Sequence, residues 1–133
     1  MKVNTKPGAC LFAAGLLMLL PACSDEIDTA MAEGCEGLPH MAQTYAAGDR
    51  AEFDEASDQA QSVGFADFRA SDFGKDESLI SDAAVAYTAY STLYDAAYEP
   101  AESNNGASVW RGRELTPSQQ RAVDEGLAVC ENY

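Results

Sequence analysis

From Cys35 onward, apolar and small residues recur every three or four positions, the period of a helix with one buried face. Cys35, Leu38, Ala42 and Tyr45 form the first such stripe, and Gly48 follows as a helix stop. Pro39 falls inside this window. Proline is tolerated in a first helical turn and costly further in, so the helix is expected to start near Pro39, with Cys35 just before it or in its first turn. Asp49 and Glu52 form an acidic capping box opening a helix over residues 50–63. Phe53, Ala56, Ala60 and Val63 share one face of that helix, Glu52, Asp54, Glu55 and Asp58 lie elsewhere, and Gly64 ends it. Residues 65–75 hold Phe65, Phe68 and Phe73 among Gly, Ser and Asp without a period, and the pattern assigns them no element.

The longest element is expected over residues 77–99, with Leu79, Ile80, Ala83, Ala84, Tyr87, Tyr90, Leu93, Tyr94, Ala97 and Tyr98 as a broad apolar stripe and Pro100 as its stop. Residues 101–108 carry the turn signal Asn104-Asn105-Gly106. The last helix is the best marked: Thr116 caps it, Pro117 takes its first position, Gln119 completes a capping box, and Ala122, Val123, Leu127 and Cys130 form its buried face. No segment alternates with a period of two, so no strand is expected. The pattern predicts an all-α domain, a small antiparallel four-helix bundle.

Ahead of this pattern, Lys2 and Lys6 precede an apolar run over residues 9–20, followed by Leu20-Pro21-Ala22-Cys23. A cationic start, a run too short to span a bilayer and a small residue before a break describe a secretory signal. Cysteine directly after Leu-x-Ala resembles the lipobox of bacterial lipoproteins. That resemblance covers residues 1–24 and implies cleavage by signal peptidase II and acylation of Cys23. By the class's sorting rule, Ser24 permits passage to an outer membrane where one exists. The chain then divides into a signal (1–22), a polar, acidic, lipid-anchored tether (23–33) and a helical domain (34–133). The expected location is the cell envelope, with the domain facing the extracytoplasmic side. Several acyl chains would hold the protein stably, where one binds only marginally.

Cys10 leaves with the signal and Cys23 takes the lipid, so Cys35 and Cys130 remain. In an oxidising compartment such a pair is expected as a disulfide, tying the start of the first helix to the end of the last. The mature part keeps all 22 acidic residues against six Lys and Arg, so the formal charge goes from −14 to −16. Such a domain repels nucleic acid and draws cationic partners by steering that salt weakens.

The candidate chemistry is sparse. His40 is the only histidine, and no nucleophile motif accompanies it. Asp67, Asp72, Asp76 and Glu77 crowd the segment from Phe65 to Glu77 and invite a divalent cation or small ligand, but their spacing fails the EF-hand pattern. No metal site or cofactor is therefore expected. Tyr87, Tyr90, Tyr94 and Tyr98 are either a core stripe with hydroxyls at the surface, the reading the helical spacing favours, or a binding strip. Trp110, Arg111 and Arg113 concentrate positive charge beside an aromatic, for an anionic group or for internal ion pairs. The best-supported function is non-catalytic: an envelope lipoprotein presenting its acidic helical domain to a partner, tested first at Tyr87–Tyr98 and at Trp110–Arg113. The alternative is a cation or small-ligand binder using residues 65–77.

Overall fold

A computed structural model describes residues 24–73, 76–99 and 108–133. The signal segment, the acylation candidate Cys23 and the Asn104-Asn105-Gly106 turn lie outside these residues. The chain is mostly helical, in the order α1 (Ser24–Ala47), α2 (Arg50–Ala60), α3 (Ser62–Phe73), α4 (Glu77–Ala97), β1 (Tyr98–Glu99), β2 (Val109–Trp110) and α5 (Pro117–Cys130).

The expected tether at residues 23–33 is helical from Ser24. Ile27, Ala30 and Met31 are buried there, and Cys35, Leu38 and Met41 continue the same stripe. The acidic residues between them hide the period without breaking it. Pro39 consequently lies inside α1 rather than at its start. It leaves the Cys35 carbonyl without its helical donor, yet Leu38 and Met41, both fully buried, hold the turns on either side. Tertiary packing outweighs the local penalty. Gly48 then closes α1 at φ +71°, a left-handed conformation that glycine adopts without strain.

Asp49 caps α2 as expected, its carboxylate accepting the Glu52 N–H at 3.2 Å. Gly64, however, does not end the helical region. After a turn at Gln61 the chain re-enters α3, and the segment the pattern left unassigned is helical as far as Phe73. Val63, Ala66 and Ala70 are its buried stripe, while Phe65 and Phe68 face outward. Counting those two rings as core positions is what scrambles the apparent period. Asp76 caps α4, accepting from Ser78 N at 2.9 Å and Leu79 N at 3.4 Å.

α4 stops at Ala97, earlier than expected, because Tyr98 turns extended and β1 pairs antiparallel with β2, Tyr98 opposite Trp110 and Glu99 opposite Val109. The fold is thus not purely α, since a two-residue ladder, too short to show alternation, joins the end of α4 to the approach to α5. The Thr116 capping box stands complete, with Gln119 N to Thr116 Oγ1 at 3.2 Å and Thr116 N to Gln119 Oε1 at 2.8 Å.

α1 packs on α2 and α3, and α4 packs on α5 and α3. Glycines set the first contact. A Cβ on Gly37 would stand 2.7 Å from Ala60 N and 3.0 Å from Ala56 O, so α1 and α2 touch nearly backbone to backbone. Gly126 of α5 is buried in the same way against Ala89 of α4. Cys35 and Cys130 meet in a disulfide, Cα atoms 5.0 Å apart, which ties the middle of α1, not its start, to the last residue of α5. Phe53, Met31, Leu38, Met41 and Leu93 fill the core between them.

Candidate functional site

Of the four tyrosines in the stripe, only Tyr98 belongs to the core, and Tyr90 packs against it. Leu79, Ala83, Ala86 and Leu93 form the core face of α4, and Tyr87, Tyr90, Tyr94 and Tyr98 run along the flank beside α2. Tyr98 is buried and Tyr90 half-buried, whereas Tyr87 and Tyr94 are 39% and 38% exposed. The expectation of a core stripe therefore holds for one end only. Spacings of three and four residues bring successive rings together: Tyr87 and Tyr90 stack at 6.0 Å, Tyr90 and Tyr94 at 6.0 Å, and Tyr94 meets Tyr98 at 5.2 Å.

The ladder continues across the strand pair. Tyr98 meets Trp110 edge-on at 5.5 Å, and Trp110 meets Tyr45 of α1 at 6.2 Å. Fully buried Phe53 backs this array, contacting Trp110 at 5.2 Å, Tyr45 at 5.9 Å, Tyr98 at 6.3 Å and Tyr94 at 6.4 Å. Tyr45 was expected only as part of a helical stripe, and its place in the array depends on the long-range β1–β2 pairing. A second exposed set adjoins the ladder. Gly64 of α3 packs against the Tyr87 ring, and the same helix carries Phe65 and Phe68, 45% and 62% exposed.

Polar groups on α2 line the ladder. The Tyr98 hydroxyl donates to the Asp54 carboxylate, and the Arg50 guanidinium stands 5.6 Å from the Tyr98 ring centre and 3.8 Å from Asp54 Oδ2. Burial pushes the Tyr98 pKa up, and the Asp54 acceptor adds to it because it favours the protonated phenol. Burial also raises Tyr90, helped by Tyr94, Tyr87 and the negative charge of Asp58. Tyr45 is raised by burial against an opposing pull from Arg113, whose carbonyl accepts its hydroxyl.

Trp110, Arg111 and Arg113 come to the ladder's end, but the two cations are engaged internally. Arg111 pairs with Glu99 at 2.6 Å. Arg113 Nη1 donates to the carbonyls of Asp95 and Ala96 at 2.9 and 3.2 Å, satisfying the last turn of α4. Arg111 is thus in an ion pair, while Arg113 is held by backbone carbonyls rather than by a carboxylate. Beside them lies an open cleft of about 400 Å³, with Ala42, Tyr45, Leu93 and Val123 below and Arg113 and Gln120 at its rim.

The segment of the alternative site, residues 65–77, is described except for residues 74 and 75. Phe65 to Phe73 is helical, the Asp76 carboxylate is taken by α4's first N–H groups, and among the described residues no three His, Cys, Asp or Glu gather as a metal site. His40 sits exposed, 3.4 Å from Glu52.

No protein-family model, curated protein or solved structure matches this chain. The site must be read from its own chemistry. It is a row of phenol rings, exposed at Tyr87 and Tyr94 and buried at Tyr98, edged by carboxylates, an arrangement able to meet another molecule by ring contact and charge.

Proposed function

We propose that the protein is a lipid-anchored component of the cell envelope that presents a small acidic helical domain for binding a protein or peptide partner, without catalysis. In this reading Cys23 carries the lipid and directly precedes α1, so the domain stands close to its membrane. The helices form an antiparallel bundle stapled by Cys35–Cys130, facing the extracytoplasmic side. The observation that carries the binding role is the pair of exposed rings Tyr87 and Tyr94 on the α4 flank, with Phe65 and Phe68 exposed on the helix whose Gly64 packs on Tyr87. Large apolar side chains gathered at one surface mark an interaction site, and tyrosine is a frequent anchor in interfaces.

Two measurements test the two halves of this reading separately. Intact mass of the membrane-extracted protein should start at Cys23, carry acyl chains and gain two hydrogens on reduction. An unacylated chain would end the anchor half. A photocrosslinking residue in place of Tyr94 or Phe68 should give one discrete adduct in intact cells, while the same residue in place of Glu125 on α5 gives none. Equal yields from all three positions would end the binding half.

A further inference from the structure

Arg50, Asp54 and Asp58 lie four residues apart on α2 and so line one stripe. Along α4, running the opposite way, Tyr98, Tyr94 and Tyr90 face that stripe. At the β1 end the pairing is complete: a guanidinium over the Tyr98 ring, a carboxylate beside it, and the phenol bonded to that carboxylate. One turn further on, Asp58 follows Asp54 on the stripe, and Tyr94 and Tyr90 follow Tyr98 along α4, stacked at 6.0 Å. Asp58's charge is felt at the Tyr90 hydroxyl. Among the described residues no cation completes this second unit. Asp58's neighbour on the stripe is Asp54, and among the described residues no arginine covers Tyr90 or Tyr94.

We propose that this face binds an arginine- or lysine-bearing segment of a partner protein, whose side-chain cation sits on the Tyr90–Tyr94 rings beside Asp58 as Arg50 sits on Tyr98 beside Asp54. The proposal rests on the partner-binding reading and names the partner's chemistry. Charge selects the occupant: a domain of formal charge −16 repels acidic peptides and draws basic ones from a distance. Ring geometry favours arginine over lysine, because the planar guanidinium stacks on a phenol while its edge reaches a carboxylate. The exposed rings of Tyr87 and Tyr94 extend this unit along α4, so an extended segment with several cations fits better than a single one.

The test titrates a fluorescein-labelled nona-arginine peptide against the purified mature chain in neutral detergent, at low and at physiological salt. Saturable binding is expected, weakened about threefold to tenfold by Asp58→Asn and by Tyr94→Leu. Tyr94→Phe keeps the ring and should bind as the parent does. Glu125→Gln removes the same charge on α5 and should change affinity by less than about twofold, as screening weakens distant exposed charges. Absence of saturable binding overturns the proposal. So does a Glu125→Gln loss equal to that of Asp58→Asn, which would mean attraction to net charge alone, or a Tyr94→Phe loss equal to that of Tyr94→Leu. Any of these results alongside a discrete Tyr94 crosslink would remove the basic segment while leaving a partner at this face.

Discussion

The α1–α2 seam and the tyrosine flank of α4 are both helix surfaces that meet α2, yet they are built from opposite materials. At the seam Gly37 meets Ala56 and Ala60 so closely that a single Cβ finds backbone in its way. On the flank, rings stand 5.2 to 6.4 Å apart, centre to centre, and Tyr87 and Tyr94 each leave nearly two-fifths of their surface to solvent. The seam has no give, because backbone atoms cannot rotate aside. The flank has room, because side chains can. Stability should therefore concentrate at the seam and at the disulfide, and the flank should tolerate change while losing what it presents.

The staple gives the largest expected effect. Replacing both Cys35 and Cys130 by Ser should lower the unfolding free energy by about 4–5 kcal/mol, the chain-entropy value for a closed loop near this length. Urea unfolding of the variant against the parent measures it. A loss under about 1 kcal/mol would mean the unfolded chain is already compact.

Two glycines then set seam against flank directly. Gly37→Ala should cost about 1–3 kcal/mol despite alanine's better helix propensity, since its methyl meets Ala60 N at 2.7 Å. Gly64→Ala gains the same propensity of about 1 kcal/mol and meets only the Tyr87 ring, at 3.0 Å. That ring is partly exposed and can swing, so the net change should lie within about 0.5 kcal/mol of zero. Equal losses at the two sites, read from thermal or urea melts, would break the distinction.

Legibility follows the same line between local and non-local causes. The Thr116 cap, the Asp49 cap and the α5 boundaries were readable because each is fixed by residues within one turn. α3 was not, because Phe65 and Phe68 are apolar residues that face outward, and no rule of spacing says which apolar residues a fold leaves exposed. The first half of α1 was masked by Asp and Glu, although Ile27, Met31 and Cys35 keep the helical period. The tyrosine spacing was plain in the sequence; its side of the helix was not. That depends on Phe53 of α2 occupying the core beneath it and on Tyr98 pairing with Trp110, contacts set by tertiary packing.

The smallest effects belong to the hydroxyls of the flank, and alkaline pH isolates them. Tyr98→Phe removes the bond to Asp54 and should cost about 0.5–1.5 kcal/mol at neutral pH, toward the lower end because the Asp54 side chain is 48% exposed and regains water. The folded-state pKa of Tyr98 is raised above 10, as are those of Tyr45, Tyr90 and Tyr133. Above pH 10 the unfolded chain therefore loses phenolic protons that the folded chain keeps. Folded protein binds more protons there, so stability is fully present below pH 10 and declines as pH rises through the higher folded values. Tyr98→Phe withdraws one such group, so its stability should fall less steeply than the parent's above pH 10, and the two curves should converge. Urea midpoints taken between pH 9 and 11 read this directly. Parallel curves would mean that Tyr98 ionises as readily folded as unfolded, and that its hydroxyl belongs to the exposed part of the flank.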